Sequence, residues 1–373
     1  MHLSTSAFVL LLIYYSIVVV QLFYYGYFFA RLTTYKAPSH SISSTHAVSI
    51  IICARDEAHN LQQNLPTILA QNYPTTHELI IVNDNSYDDT ADVLASFQKT
   101  HKHINTIHLT EQAKFVSGKK FPLSVGIKAS KHELLLLTDA DCTPAGNNWV
   151  QSMQSHFTPN IHLVLGYGPY HKLPGWLNKV IRYETYLTAL QYLSYCLAGQ
   201  SYMGVGRNIA YKKTLFNQAN GFSSHNHLAS GDDDLFVNQV SNKYNTTINI
   251  NPESFVYSTP KTSWQGWVNQ KYRHLSTSNY YKPKHKLLLG LYSASQMLVY
   301  PIFVACLVVL PWYFAITAMG VRLICLLIIN SLALNQLHER DLKPWLLVLD
   351  VWHSLYLLIF APALLKKPKQ GWS

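Results

Sequence analysis

Leu134-Leu135-Leu136-Leu137-Thr138-Asp139-Ala140-Asp141 is an apolar run that ends abruptly in two carboxylates spaced i and i+2. A buried strand that points two acidic groups from its C-terminal end is costly unless positive charge sits there. Carboxylate oxygens suit a hard cation such as Mg²⁺ or Mn²⁺, and such a cation suits a diphosphate. An Asp-rich turn closing a strand is the plainer alternative. The neighbouring segments decide between the two.

Outward from this run, β-rich and helical segments alternate. Val48-Ser49-Ile50-Ile51-Ile52-Cys53 reads as a strand, followed by a helix from about Asn60 to Gln71. Glu78-Leu79-Ile80-Ile81-Val82 and a helix from Asp88 to Lys99 come next, then Asn105 to Leu109, then a helix from Lys119 to Ser130. Near-continuous apolar strands joined by helices predict an α/β, Rossmann-like, mostly parallel sheet covered on both faces. Ligands of such sheets bind beyond the C-terminal strand ends. Arg55, Asp56 and Glu57 follow the first strand, Asp84 ends the second, and Asp139 with Asp141 ends the fourth. Acidic groups thus recur at three strand ends, which predicts one shared site. Asp88 precedes a helix and reads as its cap.

The chain has 373 residues, 49% hydrophobic and only 13% charged. That charged share is about half the usual globular level and points to a membrane protein. Phe8 to Phe29 is long enough for one crossing and lacks the basic start and cleavage site of a signal peptide. Leu287 to Leu310, Pro311 to Leu334 and Pro344 to Leu365 offer two to three more spans. Arg322 inside one of them must snorkel or pair. The expected organisation is an anchor at 1–30, a soluble domain at 46–260, an amphipathic interfacial segment at 261–286, and C-terminal spans at 287–366.

Net charge is +10. Lys271, Arg273, Lys282, Lys284 and Lys286 gather just before an apolar stretch. They are read as meeting anionic membrane lipids, not nucleic acid. Together with Arg31 and Lys36 they place the soluble domain on the cytoplasmic side of an inner or plasma membrane. Three C-terminal spans would then leave Lys366, Lys367 and Lys369 outside, against the positive-inside tendency. The five cysteines form no CxxC pair and read as buried thiols. His101, His103, His108, His225 and His227 read as surface histidines. Nothing in the sequence specifies an oligomer.

Six ordered motifs resemble the family-two inverting glycosyltransferases of the GT-A fold. Val48 to Glu57 resembles their first strand and acidic loop. Ile80 to Thr90 resembles V-D-D-x-S-x-D-x-T, with Asn83 for the first Asp and Asp84 kept. Gly118-Lys119-Lys120 with Leu123 resembles the G-K-x-x-A-L turn. Thr138 to Asp141 matches the metal motif. Gly231-Asp232-Asp233-Asp234-Leu235 resembles E-D-x-D-L with Gly231 in place of Glu, and Gln270 to His274 resembles Q-x-x-R-W with His274 in place of Trp. The resemblance covers roughly residues 48–278, and membrane-anchored relatives include cellulose, chitin and hyaluronan synthases and ceramide glucosyltransferase.

The resemblance implies a nucleotide-diphosphate sugar donor and a lipid-linked or saccharide acceptor. It implies that Asp56, Glu57 and Asp84 bind the nucleoside, that Asp139 and Asp141 hold Mg²⁺ or Mn²⁺, and that Asp139 also meets the sugar. Asp232 is the expected general base, with Asp233 the close alternative. Arg273 would bind the diphosphate, with Gln270 on the same helical face and His274 as a further donor. Lys120 is expected to approach phosphate, and Asn208 of Gly204-Val205-Gly206-Arg207-Asn208 to face the acceptor. Two other readings remain: a processive polysaccharide synthase, and a non-catalytic membrane subunit that binds nucleotide sugar or polysaccharide.

Overall fold

The computed structural model describes residues 4–36, 46–110, 118–275 and 277–362. Its centre is a seven-stranded sheet in the order β3-β2-β1-β4-β7-β6-β8. These strands are β1 (Val48–Ala54), β2 (His77–Asp84), β3 (Ile104–Leu109), β4 (Leu134–Asp139), β6 (Leu163–Gly166), β7 (Ile209–Lys212) and β8 (Thr246–Asn249). A short β5 (Cys142–Pro144) pairs separately with β9 (Val256–Ser258). β1 pairs in parallel with β2 and β4, β2 with β3, and β6 with β8, while β7 runs opposite to both neighbours.

The expected mostly parallel sheet therefore forms, and each expected strand lies within a few residues of its place. Alternate side chains divide between two cores. Ile50, Ile52, Leu79, Ile81, Leu134 and Leu136 face one layer of helices. Ile51, Cys53, Ile80, Val82, Leu135 and Leu137 face the other, which is continuous with the apolar helices at both chain ends. The strands carry apolar residues on both faces because both are covered.

Among the described residues, four helices are long and apolar enough to cross a membrane: Thr5–Thr34, Pro283–Val309, Trp312–Gln336 and Arg340–Phe360. The C-terminal region thus supplies three candidate spans. Lys366, Lys367 and Lys369 lie outside the described residues. Arg322 is fully buried and pairs with Asp350 at 2.7 Å. It also donates to Gln21 at 2.6 Å and to Gln296 at 3.1 Å. One arginine therefore bonds a residue on each of the other three spans, which removes the cost of a lone charge in apolar surroundings.

A second ion-pair cluster ties the sheet domain to the turn between the last two spans. Arg182, on the helix Trp176–Leu197, donates to Glu339 at 3.0 Å and makes two 2.8 Å bonds to Asp341. Arg182 and Glu339 are both buried. Arg182→Ala would strand a buried carboxylate, with an expected loss of about 3–5 kcal/mol. Thermal denaturation of the purified chain checks this, and Asp341→Ala, at a more exposed position, should cost much less.

The helix Trp264–Leu275, expected to be interfacial, is docked against the last apolar helix. Trp267 is buried against Tyr356 and Phe360, and Trp264 packs near Trp352. Lys271 is not one of the free basic groups expected at the membrane, since it is buried in an ion pair with Glu184.

Candidate active site

β1 and β4 are adjacent, yet their following connections leave on opposite sides of the strand order. That reversal opens a crevice at the C-terminal strand ends. The register places Cys53 beside Asp139 and Ala54 beside Asn83, so the β1, β2 and β4 ends lie level. Of the acids expected to converge, Asp84, Asp139 and Asp232 lie near one thiol, and Glu57 lies near Asp139 and Asp141. The buried Cys53 thiol feels Lys119, Asp232, Asp139 and Asp84 together.

The loops after β1 and β2 are bolted to each other. Asp56 accepts from the Tyr87 amide at 2.7 Å, and the Asp56 amide donates to Ser86 at 2.9 Å. The Glu57 amide donates to Thr90 at 3.0 Å. Asp56 and Asn85 both adopt left-handed backbone, at φ 54° and 53°, which short polar side chains tolerate. Asp88 accepts from the Thr90 and Ala58 amides, each at 3.0 Å, so its capping role also spans the two loops. Asp84 is fully buried beneath them. Asn83, where the motif usually has Asp, donates its amide toward His108 at 3.2 Å and accepts from the Ser86 amide. A carboxylate there would lack the donor. Burial raises the Glu57 pKa, with Asp141 and Asp139 adding to the rise against the Asn60 hydrogen bond.

Asp139 and Asp141 stand with Cys142 in a group whose ligand atoms lie within 4.8 Å of one another. Burial holds the Cys142 thiol well above its ordinary pKa, and it donates to Asp141 at 3.3 Å. It is a neighbour of the carboxylates and not a third anion. Burial raises the Asp141 pKa, and the Asp139 charge raises it further. Burial also opposes the Asp139 charge, but Lys119 reverses this and keeps Asp139 below its usual range. Two close carboxylates, one disfavoured as an anion, fit a hard divalent cation, and Lys119 already provides positive charge at that place.

Lys119, and not the Lys120 expected there, meets the acidic site. Lys119 forms the ion pair with Asp139, and despite burial its ammonium is held well above its usual pKa by Asp139 and Asp232. Lys120 is buried and donates to the carbonyls of His225 at 2.6 Å and Leu228 at 3.0 Å. It fastens the loop before the acidic motif and does not reach toward a phosphate. His225, expected on the surface, is buried beneath that bond. Gly118 makes this packing possible. Its φ is +91°, and a Cβ there would lie 2.1 Å from the Ala229 carbonyl oxygen.

Asp232, Asp233 and Asp234 have separate environments. Asp234 accepts from Tyr281 at 2.7 Å, from Thr277 and from the Leu235 amide, which fixes the next helix against the juxtamembrane segment. Asp233 accepts from the Gly206 amide at 2.8 Å and the Asp234 amide at 2.7 Å. Nothing among the described residues hydrogen-bonds to the half-buried Asp232 carboxylate. Gly231 has φ +100°, and a Cβ there would come within 2.5 Å of Leu235, so the motif's usual Glu would be strained in this backbone.

Burial, then the charges of Asp232 and Asp234, push the Asp233 pKa up to about 8. Between the ordinary aspartate range and about 8, the folded chain keeps a proton that the unfolded chain releases. Stability should therefore fall as pH rises through that window. Asp233→Asn, neutral throughout, should flatten the slope, as read from melting temperatures from about pH 5 to 9.

Asn208 does not face an acceptor. It is fully buried, donates to the Tyr167 and Ser254 carbonyls at 2.7 Å each, and accepts from Trp149 at 3.1 Å. The residue of that turn that bears on the acids is its neighbour. Arg207 stacks 4.8 Å over Tyr170, donates to the Gly168 carbonyl, and acts electrostatically on Asp139 and Asp141. Its only sequence signal is a base beside two glycines. Arg273 also bears on Asp139, and Gln270 donates to Tyr170 at 3.2 Å. Tyr170 thus links Arg207 to the Q-x-x-R helix. The His274 side chain lies outside the described residues.

Residues 49–219 match the family described as Glycosyl transferase family 2. The poly-beta-1,6-N-acetyl-D-glucosamine synthase of Staphylococcus epidermidis is 30% identical over 118 residues, which are 30% of this chain and 25% of that protein. The probable glycosyltransferase YdaM of Bacillus subtilis is 33% identical over 98 residues, 26% of this chain and 23% of that protein. The matches span about a quarter of the length of these curated relatives. A solved mannosyltransferase, PcManGT from Pyrobaculum calidifontis in complex with GDP-Man and Mn²⁺, superposes with TM-score 0.58 at 18% identity, covering 94% of this chain and 99% of that one. It shares the fold.

Proposed function

We propose that this chain, whose residues 49–219 match Glycosyl transferase family 2, transfers a sugar, with inversion, from a nucleoside-diphosphate donor to a lipid-linked or saccharide acceptor. The carrying observation is the convergence of Asp84, Asp139 and Asp232 about Cys53 at the level ends of β1, β2 and β4. The helix bearing Gln270 and Arg273 docks on the last candidate span, which supports a site close to a membrane surface. An acceptor held at the cytoplasmic leaflet of an inner or plasma membrane suits that position. The working division is an anchor, a transferase domain at 46–260, an interfacial segment and C-terminal spans.

In this reading Asp56, Glu57 and Asp84 line the nucleoside end, where carboxylates accept from base and ribose donors. Asp139 and Asp141 would hold Mg²⁺ or Mn²⁺, which when bound supplies Lewis-acid stabilisation of the departing diphosphate. Arg207 and Arg273 add fixed positive charge on the same side, where negative charge develops. Gln270 orients Tyr170 and through it Arg207, and His274 continues the same helix. Asp232 takes the proton from the acceptor hydroxyl. The acceptor oxygen then forms its bond to the anomeric carbon as the carbon–oxygen bond to the diphosphate breaks. Asp233, held by two amides and protonated up to about pH 8, is poorly suited to be that base.

The similarity to a poly-beta-1,6-N-acetyl-D-glucosamine synthase favours a second reading, repeated transfer to a growing saccharide. A donor screen on the purified full chain with Mn²⁺, read as nucleoside diphosphate released, tests the first reading. Release from one donor, dependent on added acceptor, supports it. Nucleotide-sugar binding without release on any acceptor would leave a binding subunit. Product length separates single transfer from polymerisation.

A further inference from the structure

A second site lies at the foot of the span Pro283–Val309, apart from the acidic crevice. A cavity of about 340 Å³ is lined by Lys243, Lys282, Lys284, His285, Tyr244 and Ser241, among others, and no carboxylate lines it. Burial, and then the neighbouring Lys284 charge, lower the Lys282 pKa. The cavity therefore gathers like charges with no internal counter-ion, an arrangement that an anion relieves.

The tautomer of His285, which also lines the cavity, is fixed. The Asn238 amide orientation is set on both sides, because its oxygen accepts from the Lys282 amide at 3.0 Å and its nitrogen donates to the Tyr202 carbonyl at 3.0 Å. The same nitrogen donates to His285 Nδ1 at 2.9 Å. Nδ1 is then an acceptor, so the ring proton rests on Nε2. That Nε2–H is buried without a partner on a side chain only 1% exposed. Buried donors of this kind are rare without an occupant to satisfy them. The first turn of the long helix Pro283–Val309 adds its partial positive charge at the same place.

We propose that this cavity binds the phosphate of an anionic phospholipid headgroup from the leaflet facing the sheet domain. The position selects lipid over a free anion. Lys284 and His285 belong to the first turn of a span whose next residues, Leu287 and Leu291, are exposed and apolar. Tyr244, 70% exposed on the rim, is suited to the headgroup layer.

The test uses the full chain, delipidated in uncharged detergent and titrated separately with short-chain phosphatidylglycerol, phosphatidylcholine and inorganic phosphate, with binding read by native mass spectrometry. Saturable binding of phosphatidylglycerol is expected, with the other two much weaker. Lys243→Gln combined with Lys284→Gln should weaken it roughly tenfold or more. Both lysines are exposed, so the fold should survive, and Lys243→Glu alone provides an independent reading. Lys286→Gln, one residue beyond His285 and outside the cavity, should leave binding unchanged. Equal losses from Lys286→Gln would mean diffuse surface charge and overturn the site. Phosphatidylcholine binding as tightly as phosphatidylglycerol, or inorganic phosphate doing so, would overturn the assignment to anionic lipid.

Discussion

Asp232→Asn is expected to lower transfer by on the order of 10²–10⁴ while leaving donor affinity nearly unchanged. Of the three consecutive acids, Asp234 is engaged by Thr277, Tyr281 and a backbone amide, and Asp233 by two backbone amides. Asp232 is half-buried, lies close enough to bear on Lys119, and has no hydrogen bond to its carboxylate among the described residues. Asn keeps the shape and removes the ability to take a proton. The measurement is the turnover number beside the dissociation constant of the donor. Wild-type turnover in Asp232→Asn would move the base to Asp233. A large loss of donor affinity would make Asp232 part of the donor site.

Asp141→Asn should have a comparable effect on turnover by a different route. Burial and Asp139 both disfavour the Asp141 anion, a cost that a cation offsets. With one carboxylate gone, donor binding should lose its dependence on Mn²⁺, and turnover should fall to near background at any donor concentration. Titrating Mn²⁺ against nucleoside diphosphate release separates the two variants. Asp232→Asn should keep the wild-type midpoint for Mn²⁺, and Asp141→Asn should lose saturation.

Much of this was legible in the sequence for one reason. Apolar runs such as Leu134 to Leu137 have few alternatives to a covered strand, and acids placed directly after them must emerge at the same sheet edge. The strand ends, the carboxylates of Asp56, Asp84, Asp139 and Asp141, and the spans followed from that. The residues misjudged were those whose role depends on where a side chain turns in three dimensions. Lys119 and Lys120 are neighbours in the chain, yet one meets Asp139 and the other two carbonyls more than a hundred residues away. Asn208 and Arg207 divide in the same manner, the amide into the core and the guanidinium toward the acids. Arg322 was readable as needing a partner, but Gln21, Gln296 and Asp350 become neighbours only when four spans pack.

The most direct measurement is a structure of the full chain in a lipid nanodisc with Mn²⁺ and the nucleoside diphosphate that the donor screen identifies. A site built on converging carboxylates predicts metal density between Asp139, Asp141 and the diphosphate, the nucleoside against Asp56 and Asp84, and Asp232 open toward the membrane-docked helix. Nucleotide bound elsewhere, or metal density remote from both Asp139 and Asp141, would contradict it.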